Sequence, residues 1–154
     1  GVGADGITGA GNGLIFACYI HDLTGDGIEL SNTNARGITV LNNIVDTCTA
    51  RGIYVSGAVA AITNGNYILG NTIYGCGDSG LEVTDADACV VLINNIFSEN
   101  GNAAGEYNAE FVAAAAELVS FHGWNVFYHS GGGGGACREM SSGNDGRLAA
   151  KRAF

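Results

Sequence analysis

Glu29, Tyr54 and Glu82 could do chemistry on a carbohydrate, and each is the third residue of a repeated four-residue segment. If the repeats stack in layers, carboxylates two layers apart are separated by about 9.6 Å. Inverting glycosidases place their acid and base about 6.5–9.5 Å apart. Arg51 and Tyr54 lie between the carboxylates and could grip a sugar or uronate. Glu29, Glu82 and Arg51 are therefore candidate catalytic residues, and Tyr54 and Asp26 are candidate substrate-binding residues.

The same residues also fit a simpler interpretation, an ordinary solvated face of a β-sheet. Charged side chains on such a face discourage association between sheets. Ser79, which lies beside the third of these segments, is polar as well and fits either interpretation. We favour the solvated face and keep the catalytic surface as the alternative.

A second set of polar residues recurs at the end of another repeated segment. Its members are His21, Asp46, Tyr74, Ser98 and Tyr128. In stacked layers His21 would lie over Asp46, and a carboxylate in that place could orient the histidine as a general base. A surface contact between neighbouring layers is the favoured interpretation of this pair. Tyr74 is the third candidate substrate-binding residue.

The sequence gives little support to metal binding. Residues 22–27 include two aspartates, and Asp85 and Asp87 form a second acidic loop. Neither loop supplies the six to eight oxygen ligands that calcium prefers. The five cysteines show no Cys-x-x-Cys spacing, which argues against zinc. We predict no metal and no cofactor, with calcium as the alternative.

The elements that position these residues are short strands in an internal repeat. Five segments align without gaps, and their second residues are Cys18, Asn43, Asn71, Asn95 and Asn125. The steps between them are 25, 28, 24 and 30 residues. Each full repeat contains three strands with alternating apolar residues, separated by turns rich in Gly and Asn. Only the Ala-rich residues 109–119 predict a short helix.

This pattern resembles the right-handed parallel β-helix family, which includes pectate-lyase-like proteins and phage tailspikes. The resemblance covers roughly residues 6–130 and implies an all-β solenoid of about five rungs. Residues 1–130 would form the β-helix, and residues 131–154 a Gly-rich linker and a basic tail or cap. The fold hosts lyases, hydrolases, epimerases and inert fibres, so it leaves the activity open.

The chain departs from the enzymes of that family. It contains no Pro, so it lacks the Arg-x-Pro-x-x-Arg element of pectate lyases and the Asp-Pro-His-Asp element of alginate epimerases. The Asn-Thr-Asp, Asp-Asp, Gly-His-Gly and Arg-Ile-Lys elements of polygalacturonases are absent as well. These departures favour a non-catalytic member of the fold.

The alignment also predicts which residues face the interior. One inward column contains Ile20, Val45, Ile73, Phe97 and Phe127. The aligned asparagines are predicted to stack as a buried ladder whose amides satisfy backbone groups of the turns, as in the β-helix family. Cys48 and Cys76 share another column, where they form either a disulfide or two buried thiols.

The chain is acidic, and its charge is unevenly distributed. The formal net charge is −9, and residues 1–137 carry 13 acidic residues against two arginines, a net of −11. Such a surface repels phosphate backbones, which argues against nucleic-acid binding. No apolar run reaches the length of about 18 residues that a membrane span requires. The basic tail is expected to pack on its own solenoid or on a neighbouring chain, and the alternative is a mobile linker to a further domain.

These observations favour a non-catalytic structural or glycan-contacting β-helix segment of an extracellular or virion-surface protein, similar to a fibre or tailspike. The loops between strands are short and leave little material for a deep catalytic cleft. The alternative is a polysaccharide lyase or glycoside hydrolase acting on an extended glycan along the β-helix face. A polysaccharide or cell-surface glycan is the expected partner, and assembly into a homo-oligomer is a further alternative.

Overall fold

The computed structural model describes residues 4–31, 36–56, 65–85, 88–103, 105–112, 121–130 and 138–139. Within these ranges the chain forms 16 short β-strands and no helix. Strands of two to four residues bury too little surface to be stable alone. The fold therefore depends on contacts between repeats that are distant in sequence.

The strands form three parallel sheets, to which the chain returns in the same order on every turn. Sheet A contains β1 (Ile7–Thr8), β4 (Ile28–Leu30), β7 (Ile53–Val55), β10 (Leu81–Val83), β13 (Ala109–Phe111) and β16 (Arg138–Glu139). Sheet B contains β2 (Gly13–Phe16), β5 (Ile38–Leu41), β8 (Asn66–Leu69), β11 (Val90–Ile93) and β14 (Phe121–Gly123). Sheet C contains β3 (Tyr19–His21), β6 (Ile44–Asp46), β9 (Thr72–Tyr74), β12 (Ile96–Ser98) and β15 (Val126–Tyr128).

This arrangement is a parallel β-solenoid of about four turns, which confirms the predicted all-β stacked fold. The predicted count of about five rungs corresponds to the five strands in each of sheets B and C. The right-handed winding stays a prediction.

The core of the solenoid is built from apolar columns, as the alignment predicts. Ile20 pairs with Val45, Val45 with Ile73, Ile73 with Phe97, and Phe97 with Phe127. The first four are buried, and Phe127 is partly buried against them. The Phe97 and Phe127 rings stack with centroids 5.4 Å apart. The predicted inward column is therefore confirmed.

The turn from sheet B to sheet C has the same two-residue form on every layer. Its first residue has a positive φ of 51° to 64°, at Ala17, Asn42, Gly70, Asn94 and Trp124. The second residue is the aligned Cys or Asn, and Asn43, Asn71 and Asn95 are buried. The Oδ1 of each next asparagine accepts the backbone N–H of the one before it at 2.9 Å. The predicted asparagine ladder is confirmed.

A second turn column follows sheet C and contains the two aligned cysteines. Cys48 and Cys76 are free thiols that are 1% and 0% exposed, so the buried-thiol alternative holds and the disulfide is absent. The neighbouring Cys76 thiol lowers the pKa of Cys48, and the neighbouring Cys48 thiol together with burial raises the pKa of Cys76. Asn100 continues this column, and its Oδ1 accepts the Cys76 N–H at 3.0 Å.

The C-terminal part contains two strands of sheet A that the sequence analysis did not predict. The helix predicted at residues 109–119 is wrong at its start, because Ala109–Phe111 form strand β13 and pair with β10. Residues 113–120 lie outside the described residues. Arg138–Glu139 pair with Glu110 and Phe111 as strand β16, beyond the boundary predicted at residue 130. The rest of the predicted tail, 131–137 and 140–154, lies outside the described residues.

Candidate functional site

The outer face of sheet A carries the residues predicted to do chemistry. The strand register places Glu29 beside Tyr54 and Tyr54 beside Glu82, so the predicted column exists. Glu110, which the sequence analysis did not select, lies in the next layer beside Glu82. The middle positions of these strands face outward, but Glu110 is only 7% exposed.

Arg51 is held in place by groups of the protein itself. Its Nε donates to Asp26 Oδ1 at 2.8 Å, its Nη2 donates to Asp26 Oδ2 at 3.0 Å, and its backbone N–H donates to the same carboxylate at 2.9 Å. Asp26 is only 3% exposed. The guanidinium carbon lies 3.6 Å from the centroid of the Tyr54 ring, a cation–π contact. Arg51 therefore binds one layer of the solenoid to the next.

Glu82 lies at the far side of this cluster, near Arg51 and near other carboxylates. Its Oε1 is 3.7 Å from Nη1 of Arg51. Burial raises the pKa of Glu82; Arg51 opposes this rise, and the charges of Glu110, Asp78 and Asp26 add to it. Ser79, also predicted from the sequence to lie near this column, donates to Glu110 Oε2 at 3.4 Å and accepts the Tyr107 N–H at 3.1 Å.

The raised pKa of Glu82 makes the stability of the fold depend on pH. A carboxyl group with a higher pKa in the folded chain destabilises the fold as pH rises from its ordinary value of 4.5 through the folded value. We expect Glu82→Gln, which mimics the protonated form, to raise Tm near pH 7 and to reduce the fall of Tm as pH rises above 4.5. Thermal unfolding followed by circular dichroism at several pH values measures both effects.

Glu29→Gln is the matched control for this variant. Glu29 occupies the same outward column, but its register partners are Thr8 and Tyr54, whereas Glu82 lies beside Glu110. The control should leave the pH profile of wild type almost unchanged. A Glu82→Gln protein that melts below wild type at pH 7 would show that the ion pair with Arg51 outweighs burial and repulsion.

The outer face of sheet C carries the second predicted set. Tyr74 and Tyr128 share a column with Ser98 between them, and they are 48% and 57% exposed. Tyr74 therefore lies on a different sheet from Glu29, Tyr54 and Glu82, and the structure does not bring it together with them. Two layers separate the tyrosines, a spacing of about 9.6 Å along the solenoid.

His21 does not have the partner that its column suggested. His21 and Asp46 are in register, but His21 Nδ1 is 2.8 Å from Asp22 Oδ2. Asp46 Oδ2 instead accepts the Tyr19 hydroxyl at 3.2 Å, and the Tyr19 ring stacks on the His21 ring. The predicted surface contact between layers exists, with Tyr19 as its link, and the oriented His21–Asp46 base does not form.

The first loop considered for calcium, residues 22–27, uses its carboxylates in other ways. Asp26 binds Arg51, and Asp22 Oδ1 accepts the Thr47 hydroxyl at 3.1 Å. Asp87 lies outside the described residues. Among the residues with described positions, no three His, Cys, Asp or Glu side chains are grouped so that they could hold a metal ion.

Over its described ranges the chain has no helix that is long and apolar enough to cross a membrane. No protein-family model, curated protein or solved structure matches the sequence or the fold of this chain. The kinship with pectate-lyase-like proteins or tailspikes stays a prediction, and what the structure establishes is a parallel β-solenoid.

Proposed function

We propose that this chain is a non-catalytic segment of an extracellular or virion-surface protein, a rigid β-solenoid similar to the shaft of a fibre or tailspike. The observation that carries the proposal is that the Arg51 side chain is bound by groups of the protein itself. The guanidinium that an enzyme would offer to a substrate is bound on one side by Asp26 and covered by Tyr54. The polar residues of sheet A thus stabilise contacts between layers.

The surface best suited to an extended glycan is the column of Tyr74, Ser98 and Tyr128. An exposed tyrosine offers an apolar ring that can stack on a sugar and a hydroxyl that can hydrogen-bond to it. Two such rings in line along the solenoid axis would contact successive units of a chain laid parallel to it. The net charge of −11 over residues 1–137 disfavours uronates and other anionic glycans. We therefore propose a neutral polysaccharide as the ligand.

Affinity electrophoresis against a panel of neutral and uronate polysaccharides tests this proposal. We expect at least one neutral polymer to retard the protein, and the double variant Tyr74→Ala/Tyr128→Ala to lose most of that retardation. Tyr67→Ala, which removes an exposed tyrosine from sheet B, is the matched control and should bind as wild type does. Retardation only by uronate polymers, or binding that survives in the double variant, would contradict the proposed surface.

One observation favours the enzymatic alternative, a polysaccharide lyase or glycoside hydrolase. Glu82 has a raised pKa and lies one layer from Glu110. One layer is about 4.8 Å, close to the carboxyl separation of about 5–5.5 Å in retaining glycosidases. Incubation with the same polysaccharides should yield neither unsaturated products nor new reducing ends. Products that disappear in Glu82→Gln would establish the enzyme instead.

A further inference from the structure

Trp124 occupies a turn position that does not suit a tryptophan. It is the first residue of the two-residue turn from sheet B to sheet C, and its φ is 51°. The residues at this position in the other layers are Ala17, Asn42, Gly70 and Asn94. Glycine and asparagine adopt this left-handed conformation readily, whereas a bulky side chain adopts it at a cost in free energy. The conformation of the turn therefore does not explain the tryptophan.

The packing of Trp124 does not explain it either. The residue is 80% exposed, more than any other large apolar residue in the part of the chain that the structure describes. An indole that stays in water gains little from burial, so nothing in the folded chain offsets the strain of the turn. This is the one tryptophan of the sequence. A strained residue that brings the fold no evident gain points to a function outside the fold.

The neighbours of Trp124 belong to the surface of sheet C that is proposed to contact a glycan. The outward residues that follow it in the same layer are Val126 and Tyr128, which are 54% and 57% exposed. Tyr128 is four residues from Trp124, at most about 13 Å along the strand. Asn94, at the same turn position one layer earlier, is also exposed, and its amide can donate to and accept from sugar hydroxyls. Trp124 and Tyr128 thus lie at the two ends of one exposed row.

We propose that Trp124 is a third sugar-binding ring of this surface and stacks on the apolar face of a neutral pyranose unit. The inference rests on the proposed function, and it extends the glycan surface from the column of Tyr74 and Tyr128 across the layer of β15. The size of the row selects a sugar over a protein, because a stable protein interface commonly buries about 800 Å² on each partner. Three side chains cover far less than that, whereas one indole matches one sugar ring. The net charge of −11 over residues 1–137 selects a neutral unit over an acidic one.

The variant Trp124→Asn tests this assignment, because it restores the residue that two other layers have at the turn. Asparagine relieves the strain, so Tm should rise by about 2–4 °C in thermal unfolding. Loss of the ring should weaken binding about tenfold in affinity electrophoresis with galactomannan, xyloglucan and β-1,3-glucan. A tryptophan that only supported the fold would give the opposite change of Tm. Higher stability together with weaker binding is therefore the result that identifies a binding residue.

Trp124→Phe is the matched variant, because it keeps an aromatic ring in the strained conformation. It should restore most of the binding that Trp124→Asn loses, without the rise in Tm. If wild type is retarded and Trp124→Asn is retarded equally, the assignment of Trp124 is overturned while the proposed function stands. A fall of Tm in Trp124→Asn overturns the assignment as well. If none of the three polymers retards wild type, the proposed function fails and the assignment fails with it.

Discussion

Replacing Gly52 with alanine is expected to destabilise the solenoid by about 3 kcal/mol or more, because the new methyl group would enter occupied space. A Cβ at this position would lie 2.6 Å from the carbonyl oxygen of Gly80 and would also overlap Cγ2 of Ile73. The carbonyl belongs to the backbone of the next layer, so a side-chain rotation cannot relieve the overlap. Gly27 approaches the carbonyl of Gly52 in the same way, at 2.6 Å.

Urea unfolding of Gly52→Ala, followed by circular dichroism, measures this effect. Gly13→Ala is the matched control, because no atom other than those of its chain neighbours lies within 4 Å of a Cβ built at Gly13. That control should be neutral or slightly stabilising, since glycine in a strand costs about 0.5–1 kcal/mol relative to alanine. Equal midpoints for the two variants would show that the layers can separate at this corner without loss of stability.

The sequence predicts the fold because a solenoid repeats one set of constraints. Strand residues alternate between interior and surface, so a correct alignment of one column fixes its neighbours. Once Val45, Ile73 and Phe97 are aligned, the outward positions of Glu29, Tyr54 and Glu82 and of Tyr74 and Tyr128 follow. The register confirms these columns.

Strand β13 of sheet A was predicted as part of a helix, because the local helix preference of the Ala-rich sequence was followed. The Ala-rich stretch at 109–119 favours a helix when taken alone, yet Ala109–Phe111 pair with Leu81–Val83. The pairing was detectable, because Ala109 follows Leu81 by 28 residues, one of the steps found in the repeat. Asn108 stands where the earlier layers have Gly, and this substitution hides the match. Recognition of that layer would have added Glu110 to the candidate site.

The contacts of individual polar side chains could not be predicted from the repeat. Arg51 and Asp26 were placed in adjacent layers, but the double hydrogen bond depends on rotamers that an alignment does not specify. His21 illustrates the same limit, because its sequence neighbour Asp22 binds it in place of Asp46. A column gives the neighbours available to a residue, and the local geometry selects among them.

Replacing Asn71 with leucine is expected to cost roughly 3 kcal/mol or more, because Asn71 is the centre of the buried ladder. Its Oδ1 accepts the Asn43 N–H at 2.9 Å, and its Nδ2 donates to the Val40 carbonyl at 2.9 Å and to Asn95 Oδ1 at 3.0 Å. Leucine is of similar size but can make none of these bonds. Each buried backbone group left without a partner costs about 1–3 kcal/mol.

Thermal and urea unfolding of Asn71→Leu measure the loss, with Asn102→Leu as the control for the same exchange at an exposed position. The control should remain within about 0.5 kcal/mol of wild type, as surface substitutions usually do. Asn71→Leu that melts with wild type would mean that the turn backbone finds other donors and acceptors. In that case the ladder would be dispensable for stability. The expected result instead shows that the amide column contributes to the stacking of the layers.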